Sequence, residues 1–304
     1  SNDATAVVLT PAVHAAVKRA GGAALPYLFI CAFVANAASF VLPFSNPANL
    51  VIFHSAGLPP LPHWLQFFAL PSVVAILATY LGLRWMAGSQ LAGKLQADTP
   101  APPMSRSGAA VAVGIFATAI VLVTVSTLGK PLGLPTFIAA LAVFVCVLFL
   151  DRTALVPTLR QISWGILPLV AGLFVVVGAL SRTGVSAAIQ DALHHLELWP
   201  PIAASLTASF GSAIVCNIAN NLPVGVLVGS AVQGHAMHML RNALVIGIDL
   251  GPNFSVTGSL ATILWLIALR REGERVNFLK FLKYGIAINS PALLLATVAV
   301  IAGS

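Results

Sequence analysis

The sequence predicts an all-α polytopic membrane protein, and three observations predict it. Hydrophobic residues make up 59% of the 304 and charged residues only 8%, against about 25% charged in an ordinary soluble domain. Mean hydropathy is +0.97, so the chain has too little charge to cover itself in water. Its apolar segments run without the polar–apolar alternation of barrel strands, which leaves the helix as the spanning element. The net charge of +7 sits between apolar segments and forms no basic stripe. That pattern belongs to a lipid bilayer and not to a nucleic-acid partner.

A crossing helix needs about 20 apolar residues and a half-helix about 10. Taken in order, residues 4–17 predict a hairpin arm, 26–56 a crossing with a polar break, and 65–86 an uninterrupted crossing. Residues 87–107, with Gly88, Gly93, Pro100, Pro102 and Pro103, predict an exposed linker. Crossings follow at 108–128, 134–150 and 164–181, then hairpin arms at 199–217 and 221–233, a second broken crossing at 242–269 and a last one at 278–302. Placing Lys18 and Arg19 in the cytoplasm puts Arg84, Lys94, Arg106, Arg152, Arg160, Arg270, Arg271, Arg275, Lys280 and Lys283 on the same side. Lys130, Arg182 and Arg241 are left for the other face, the asymmetry that the positive-inside rule requires.

Four polar breaks interrupt the apolar runs: Ser1-Asn2-Asp3, the Ser45–Asn49 stretch inside FVLPFSNPANLVIF, CNIANNLP at 216–223, and GPNFSVTG at 251–258. They come twice as hairpin tip plus broken helix, with the two hairpins entering from opposite sides. The fold expected is therefore an inverted-repeat transporter with two re-entrant hairpins and two broken transmembrane helices. The first repeat covers 1–86, the cytoplasmic linker 87–107 and the second repeat 108–304. Unwound backbone is tolerated at membrane depth only when buried in protein or lining a cavity. The breaks thus predict a solute site made from Asn2, Ser45, Asn46, Asn49, Asn220, Asn221, Asn253, Ser255 and Thr257. Asn46 before Pro47 reads as an N-cap, Asn221 before Leu222-Pro223 likewise, Ser255 or Thr257 as the cap of the helix through Trp265, and Asp3 as the cap of 4–17.

Asp3 and Asp249 are the two carboxylates at membrane depth, and such groups are functional candidates by default. Asp3 stands at a helix N-terminus. Asp249 stands near the C-terminal end of 242–250, where the helix dipole and burial both oppose a negative charge. Asp249 is accordingly expected to carry protons, while Asp3 orders the first tip or contacts solute. Cys31, Cys146 and Cys216 are isolated, with no CxxC or Cys/His spacing, so neither a zinc site nor a disulfide framework is expected. The histidines (His14, His54, His63, His194, His195, His235 and His238) lack HExxH spacing and are expected to be solvated groups, mostly in loops. No resident metal and no cofactor is expected.

SNDATAVVLTP at 1–11, SNPANL at 45–50, NNLP at 220–223 and GPNFSVTGSLAT at 251–262 resemble the arsenite/antimonite efflux permeases of the ion-transporter superfamily. The likeness covers nearly the whole chain, and the last motif is its most specific part; Ala4 stands where the family commonly has glycine. The resemblance implies extrusion of trivalent arsenic or antimony across the inner membrane. The drive would be the proton gradient or association with a soluble arsenite-stimulated ATPase. The family's permeases begin with several helices ahead of the first motif. With Ser1-Asn2-Asp3 opening directly into a helix, this chain is expected to be the later part of a longer or processed protein. Gly129-Lys130 is followed by Pro131, so no GxxxxGK[ST] loop is present and any ATP dependence belongs to a partner.

Arsenite and antimonite at neutral pH are small, neutral trihydroxides, which suits a ring of Asn, Ser and Thr. The nearest alternative is a sodium-coupled carboxylate or sodium/proton transporter of the same superfamily. A carboxylate carrier would call for an intramembrane Lys or Arg, and the breaks contain none. An intramembrane enzyme is disfavoured by the absence of GxSxG, HExxH and paired aspartates. A passive channel is distinguished from a transporter by uphill movement.

Overall fold

The structure is a computed structural model, which describes residues 2–53, 57–91, 104–153, 155–162, 164–232 and 238–303. Among the described residues there is no strand. In chain order the helices are α1 (Asn2–Arg19), α2 (Ala24–Ala37), α3 (Pro47–Ile52), α4 (Leu61–Leu91) and α5 (Arg106–Thr127). There follow α6 (Gly133–Leu150), α7 (Leu155–Gln161), α8 (Ile166–Arg182), α9 (Val185–Glu197) and α10 (Pro201–Ala219). The last are α11 (Asn221–Ala231), α12 (His238–Leu250), α13 (Leu260–Arg271), α14 (Phe278–Tyr284) and α15 (Ser290–Ala302). A 3₁₀ turn, Gly251–Phe254, ends α12, and a π turn, Gly285–Asn289, joins α14 to α15. Five of the described spans are long and apolar enough to cross a membrane: Leu61–Gly88, Arg106–Thr127, Gly133–Leu150, Pro201–Ala219 and Phe278–Ala302. The bent pair α8 and α9 makes a sixth if it counts as one span. The all-α polytopic expectation is met.

The chain divides into two compact units. The smaller takes in Pro59–His63 and Pro100–Leu173. In it α5 and α6 lie side by side, and Gly114 permits the approach, because a Cβ there would collide with the Val143 side chain. α6 buries no residue, and Leu134, Phe137, Leu141, Phe149 and Leu150 are exposed, as a lipid-facing helix requires.

The larger unit takes in Ser1–Leu58, Trp64–Thr99 and Phe174–Ser304, and holds all four breaks. Its packing depends on small residues that let backbones meet, the usual device where lipid removes the hydrophobic drive between helices. A Cβ on Gly247 of α12 would enter the Ser209 carbonyl and Ser212 hydroxyl of α10. A Cβ on Gly251 would fall 2.7 Å from Ala213 Cα, and one on Gly229 of α11 2.6 Å from the Val51 carbonyl of α3. Rings fill the rest. Phe29 and Phe33 of α2, Trp265 of α13, and Phe281 and Tyr284 of α14 form one aromatic cluster. Trp265 Nε1 donates to the Leu28 carbonyl at 2.9 Å, which fixes α13 to α2.

Several local expectations need correction. The helix before Trp265 is capped by Ser259, whose Oγ accepts from Thr262 N at 3.1 Å, and not by Ser255 or Thr257. Asn220, one residue earlier than expected, caps α11. α1 already includes Asn2, so Asp3 lies in its first turn and not at its cap. The linker is shorter than 87–107, because α4 runs to Leu91 and α5 starts at Arg106; Gly93, Pro100, Pro102 and Pro103 lie outside the described residues.

The histidines are mostly not in loops. His63 opens α4, His194 and His195 end α9, and His238 opens α12. His54 and His235 lie outside the described residues. His14, expected to be solvated, is buried, with Nδ1 3.0 Å from a Glu272 carboxylate oxygen, while Lys18 Nζ lies 3.1 Å from Glu274. These pairs join the first hairpin arm to the end of α13. Sequence spacing cannot see them, because the partners are more than 250 residues apart.

Candidate transport site

The first break forms because Asn46 and Pro47 start a helix inside an apolar run. Asn46 Oδ1 accepts from Ala48 N at 3.0 Å and Pro47 takes the first helical position, where it needs no donor. Capping consumes the oxygen of the Asn46 amide and leaves its nitrogen pointing elsewhere. That nitrogen donates to Asp249 Oδ1 at 2.6 Å, across 203 residues of sequence. Asn46 and Asp249 are 1% and 0% exposed, so the two broken helices meet at a bond sealed from solvent.

A chain of amides runs beside this bond. Asn253 Oδ1 accepts from Asn36 Nδ2 at 2.9 Å, and Asn253 Nδ2 donates to the Phe33 carbonyl at 3.1 Å and to Asn289 Oδ1 at 3.4 Å. Asn36 Oδ1 in turn receives Asn2 Nδ2 at 3.5 Å, and the Asn2 backbone N–H donates to the Ser45 carbonyl at 3.0 Å. Asn49 Nδ2 donates to the Ser39 carbonyl at 3.2 Å. The Ser39 and Asn49 side chains also stand near the Asp249 carboxyl, yet its Oδ2 makes no hydrogen bond of good geometry.

The second tip is built around Asn220. Its φ of 71° and ψ of 149° lie where residues with a Cβ are strained, at about 1–3 kcal/mol. Oδ1 caps Leu222 N at 3.2 Å and Nδ2 donates to the Thr257 carbonyl at 3.2 Å. Asn221 N donates to the Gly258 carbonyl at 2.9 Å, and Thr257 Oγ1 to the Asn217 carbonyl at 3.2 Å. Ser255 Oγ lies 3.1 Å from Thr257 Oγ1. This tip therefore touches the 255–258 loop of its own half, whereas the first tip and its break touch Asp249 and Asn253.

All the expected site residues fall in the larger unit, in two neighbouring groups. Asn2, Ser45, Asn46, Asn49, Asn253 and Asp249 belong to the first, and Asn220, Asn221, Ser255 and Thr257 to the second. Asp3 stands half-buried beside Asn2, whose Oδ1 receives its N–H at 2.9 Å. Four participants escaped the sequence reading: Asn36, Ser39, Asn217 and Asn289. Each is a polar residue inside an otherwise apolar helix or at its end, and that alone was a signal. Arg241 was assigned to a membrane face, but it is buried, with its guanidinium 5.6 Å from the Phe53 ring centre and Nη2 3.3 Å from the Val232 carbonyl. Eight residues separate it from Asp249, about 12 Å of helix. The three cysteines do not converge: Cys216 is buried in α10, Cys31 half-buried in α2 and Cys146 exposed on α6. Among the described residues no group of three metal-ligating side chains occurs.

Unsatisfied polar capacity decides what such a site can recognise. Asn49 Oδ1, Asp249 Oδ2, Asn217 Oδ1 and Asn221 Oδ1 are buried acceptors without a partner, and Asn289 Nδ2 is a buried donor without one. Each costs about 1–3 kcal/mol when left unpaired. Acceptors outnumber donors, and the helix N-termini at both tips have their first N–H groups engaged.

A helical membrane protein whose interrupted segments gather buried amides and a carboxylate has the makings of a membrane transporter. The chain belongs to the citrate transporter family (CitMHS), whose model matches residues 1–251. It is 29% identical over 310 residues to the arsenical pump membrane protein of Escherichia coli strain K12, covering 96% of this chain and 71% of that protein. An arsenical pump membrane protein of Yersinia enterocolitica is 29% identical over 316 residues, with the same coverage. An uncharacterized transporter of Mycobacterium tuberculosis strain H37Rv is 27% identical over 319 residues, covering 98% and 72%. The chain is thus a multi-pass transporter of the inner membrane.

Proposed function

We propose that the protein extrudes trivalent arsenic or antimony as the neutral trihydroxide, by alternating access in exchange for protons. The observation that carries this reading is the surplus of unpartnered buried acceptors around the two breaks. A trihydroxide brings three O–H donors and no charge, and so complements acceptors without needing a countercharge. Asp249 is the proton carrier in this reading. It is fully buried, bonded to the first break through Asn46 and placed on the second broken helix, so a change in its protonation acts on both halves at once. Asn2, Ser45, Asn46 and Asn253 hold the breaks in register, while Asn49, Asn221, Ser255 and Thr257 supply groups to solute. The two hairpins and two broken helices act as inverted repeats, the arrangement in which rocking about a midplane site exposes it alternately. A soluble ATPase, if one participates, docks from outside the chain.

The family model's description as a citrate transporter favours a second reading, a carboxylate carrier, for which sodium is the coupling ion to test. The carboxylate groups of such a solute only accept and carry charge, and would meet mostly acceptors here. Everted vesicles containing the protein decide between the two. The expected result is arsenite or antimonite accumulation that follows an imposed proton gradient, ignores sodium and is not competed by citrate. Sodium-dependent citrate uptake with no metalloid accumulation would replace the first reading by the second.

A further inference from the structure

The second tip contains a side chain whose chemistry is set by what already surrounds it. Asn217 lies in the last turn of α10. Its Nδ2 donates to two carbonyls, Ala213 at 2.7 Å and Gly251 at 2.8 Å. Carbonyls only accept, so this pair fixes which end of the amide is nitrogen and turns Oδ1 the other way. Oδ1 is buried and has no hydrogen-bond partner. It faces Gly258, where a Cβ would stand 2.8 Å from it and 2.6 Å from Pro252 Cα. The Gly258 carbonyl binds Asn221 N at 2.9 Å, which brings Asn221, whose Oδ1 is also buried and unpartnered, to the same glycine.

The backbone donors at the start of α11 are already engaged. Asn221 N binds the Gly258 carbonyl, Leu222 N binds Asn220 Oδ1, Pro223 has no N–H, and Val224 N binds the Asn220 carbonyl at 3.3 Å. The start of α11 therefore offers an anion no free backbone N–H. The tip offers one fixed acceptor oxygen, Asn217 Oδ1 beside Gly258, and a second buried acceptor, Asn221 Oδ1.

We propose that Asn217 is a solute-binding residue, and that its Oδ1 accepts an O–H group of a small uncharged hydroxide, with Asn221 Oδ1 as a second acceptor at the same tip. This rests on the proposed function above, and it assigns the discrimination by O–H count to a residue that is not one of the capping residues of the tip. The residue has a second duty as a brace between α10 and the 3₁₀ turn through Nδ2, so the test needs a readout that bracing does not move.

That readout is selectivity across solutes that differ only in O–H number. The full chain in proteoliposomes is assayed with arsenous acid, methylarsonous acid and dimethylarsinous acid, which carry three, two and one O–H. Asn217→Ala and Asn217→Ser both remove the acceptor, and the serine variant keeps a hydroxyl able to bond back to the Ala213 carbonyl. One lost neutral hydrogen bond corresponds to about a three- to tenfold change in affinity. The expected result is a rise of that size in KM for arsenous acid, a much smaller one for dimethylarsinous acid, and maximal rates within about twofold. An equal change for all three solutes, a change in maximal rate alone, or failure of both variants to fold makes Asn217 a brace and overturns the assignment. Loss of transport of all three by the unmutated protein overturns the metalloid reading itself, a result separable from the others because it needs no variant.

Discussion

Replacing Asp249 by asparagine separates a proton carrier from a structural carboxylate, because the structure predicts opposite effects on stability and on coupling. The carboxyl is fully buried, accepts one bond from Asn46 at 2.6 Å, and leaves Oδ2 without one. A hydrogen bond to a charged group contributes about 1.5–3 kcal/mol and a neutral one about 0.5–1.5. The amide of Asp249→Asn can still accept from Asn46, so the change weakens this bond by about 1–2 kcal/mol. It also removes a buried charge with no cationic partner beside it, whose burial costs several kcal/mol. The net expectation is an unchanged or slightly raised melting temperature in detergent. Coupling behaves differently. With one proton exchanged per solute, a gradient of one pH unit supports about tenfold accumulation. In everted vesicles the unmutated protein should approach that ratio, and Asp249→Asn should stay near one while still equilibrating solute downhill. Full uphill accumulation by the variant refutes the assignment. A loss of stability above about 3 kcal/mol instead identifies Asp249 as a permanently paired structural group.

Other perturbations test the packing and the tips. Gly247→Ala drives a methyl into the Ser209 carbonyl and Ser212 hydroxyl of α10 and should cost about 1–3 kcal/mol, read as a fall in melting temperature and yield. Asn220→Gly relieves the strained φ of 71°, whereas Asn220→Ala keeps the strain and loses the cap. The glycine variant should be more stable than the alanine variant by about 1–3 kcal/mol, and equal stabilities would remove the claim of strain. Because Cys31, Cys146 and Cys216 lie on separate helices, replacing all three by serine or alanine should leave arsenite resistance of expressing cells intact; resistance abolished by Cys216→Ser alone would implicate a thiol in the path. Single cysteines placed at Thr153 and Gly273 in that background should label with a charged maleimide from the cytoplasmic side, and one at Trp199 from the other. A different split would overturn the sidedness derived from the basic residues.

How much of this was legible beforehand depends on the range of the interaction. Asn46-Pro47 is a local signal: a side chain that caps the helix it precedes, next to a residue that fits only the first turn, so the break could be placed from adjacent letters. The cap of α13 was misplaced by a few residues because Ser255, Thr257 and Ser259 are all able to cap. Only the path of the 3₁₀ turn, held against Ala213 and Asn217 of α10, leaves Ser259 in position. His14 read as a solvated group because its partners, Glu272 and Glu274, arrive from the opposite end of the chain. Asn36 and Asn289 were passed over because a lone amide in a lipid-soluble run carries no spacing pattern.

Although the first unwound stretch opens after Ala37, earlier than Ser45, and Asn2-Asp3 are already helical, sequence alone determined the solvent, the element type and the helix start at Pro47. These follow from composition, from the need of every backbone group in lipid for an internal partner, and from the geometry of capping, all of which act within a few residues. Tertiary structure decided which ends of the amides remain free. An asparagine carries two donors and an acceptor, and only the carbonyls that happen to lie against it select the face it shows. At Asn217 they are those of Ala213 and Gly251, and at Asn46 the partner is Asp249. The preference we propose for donor-bearing solutes rests on those long-range contacts.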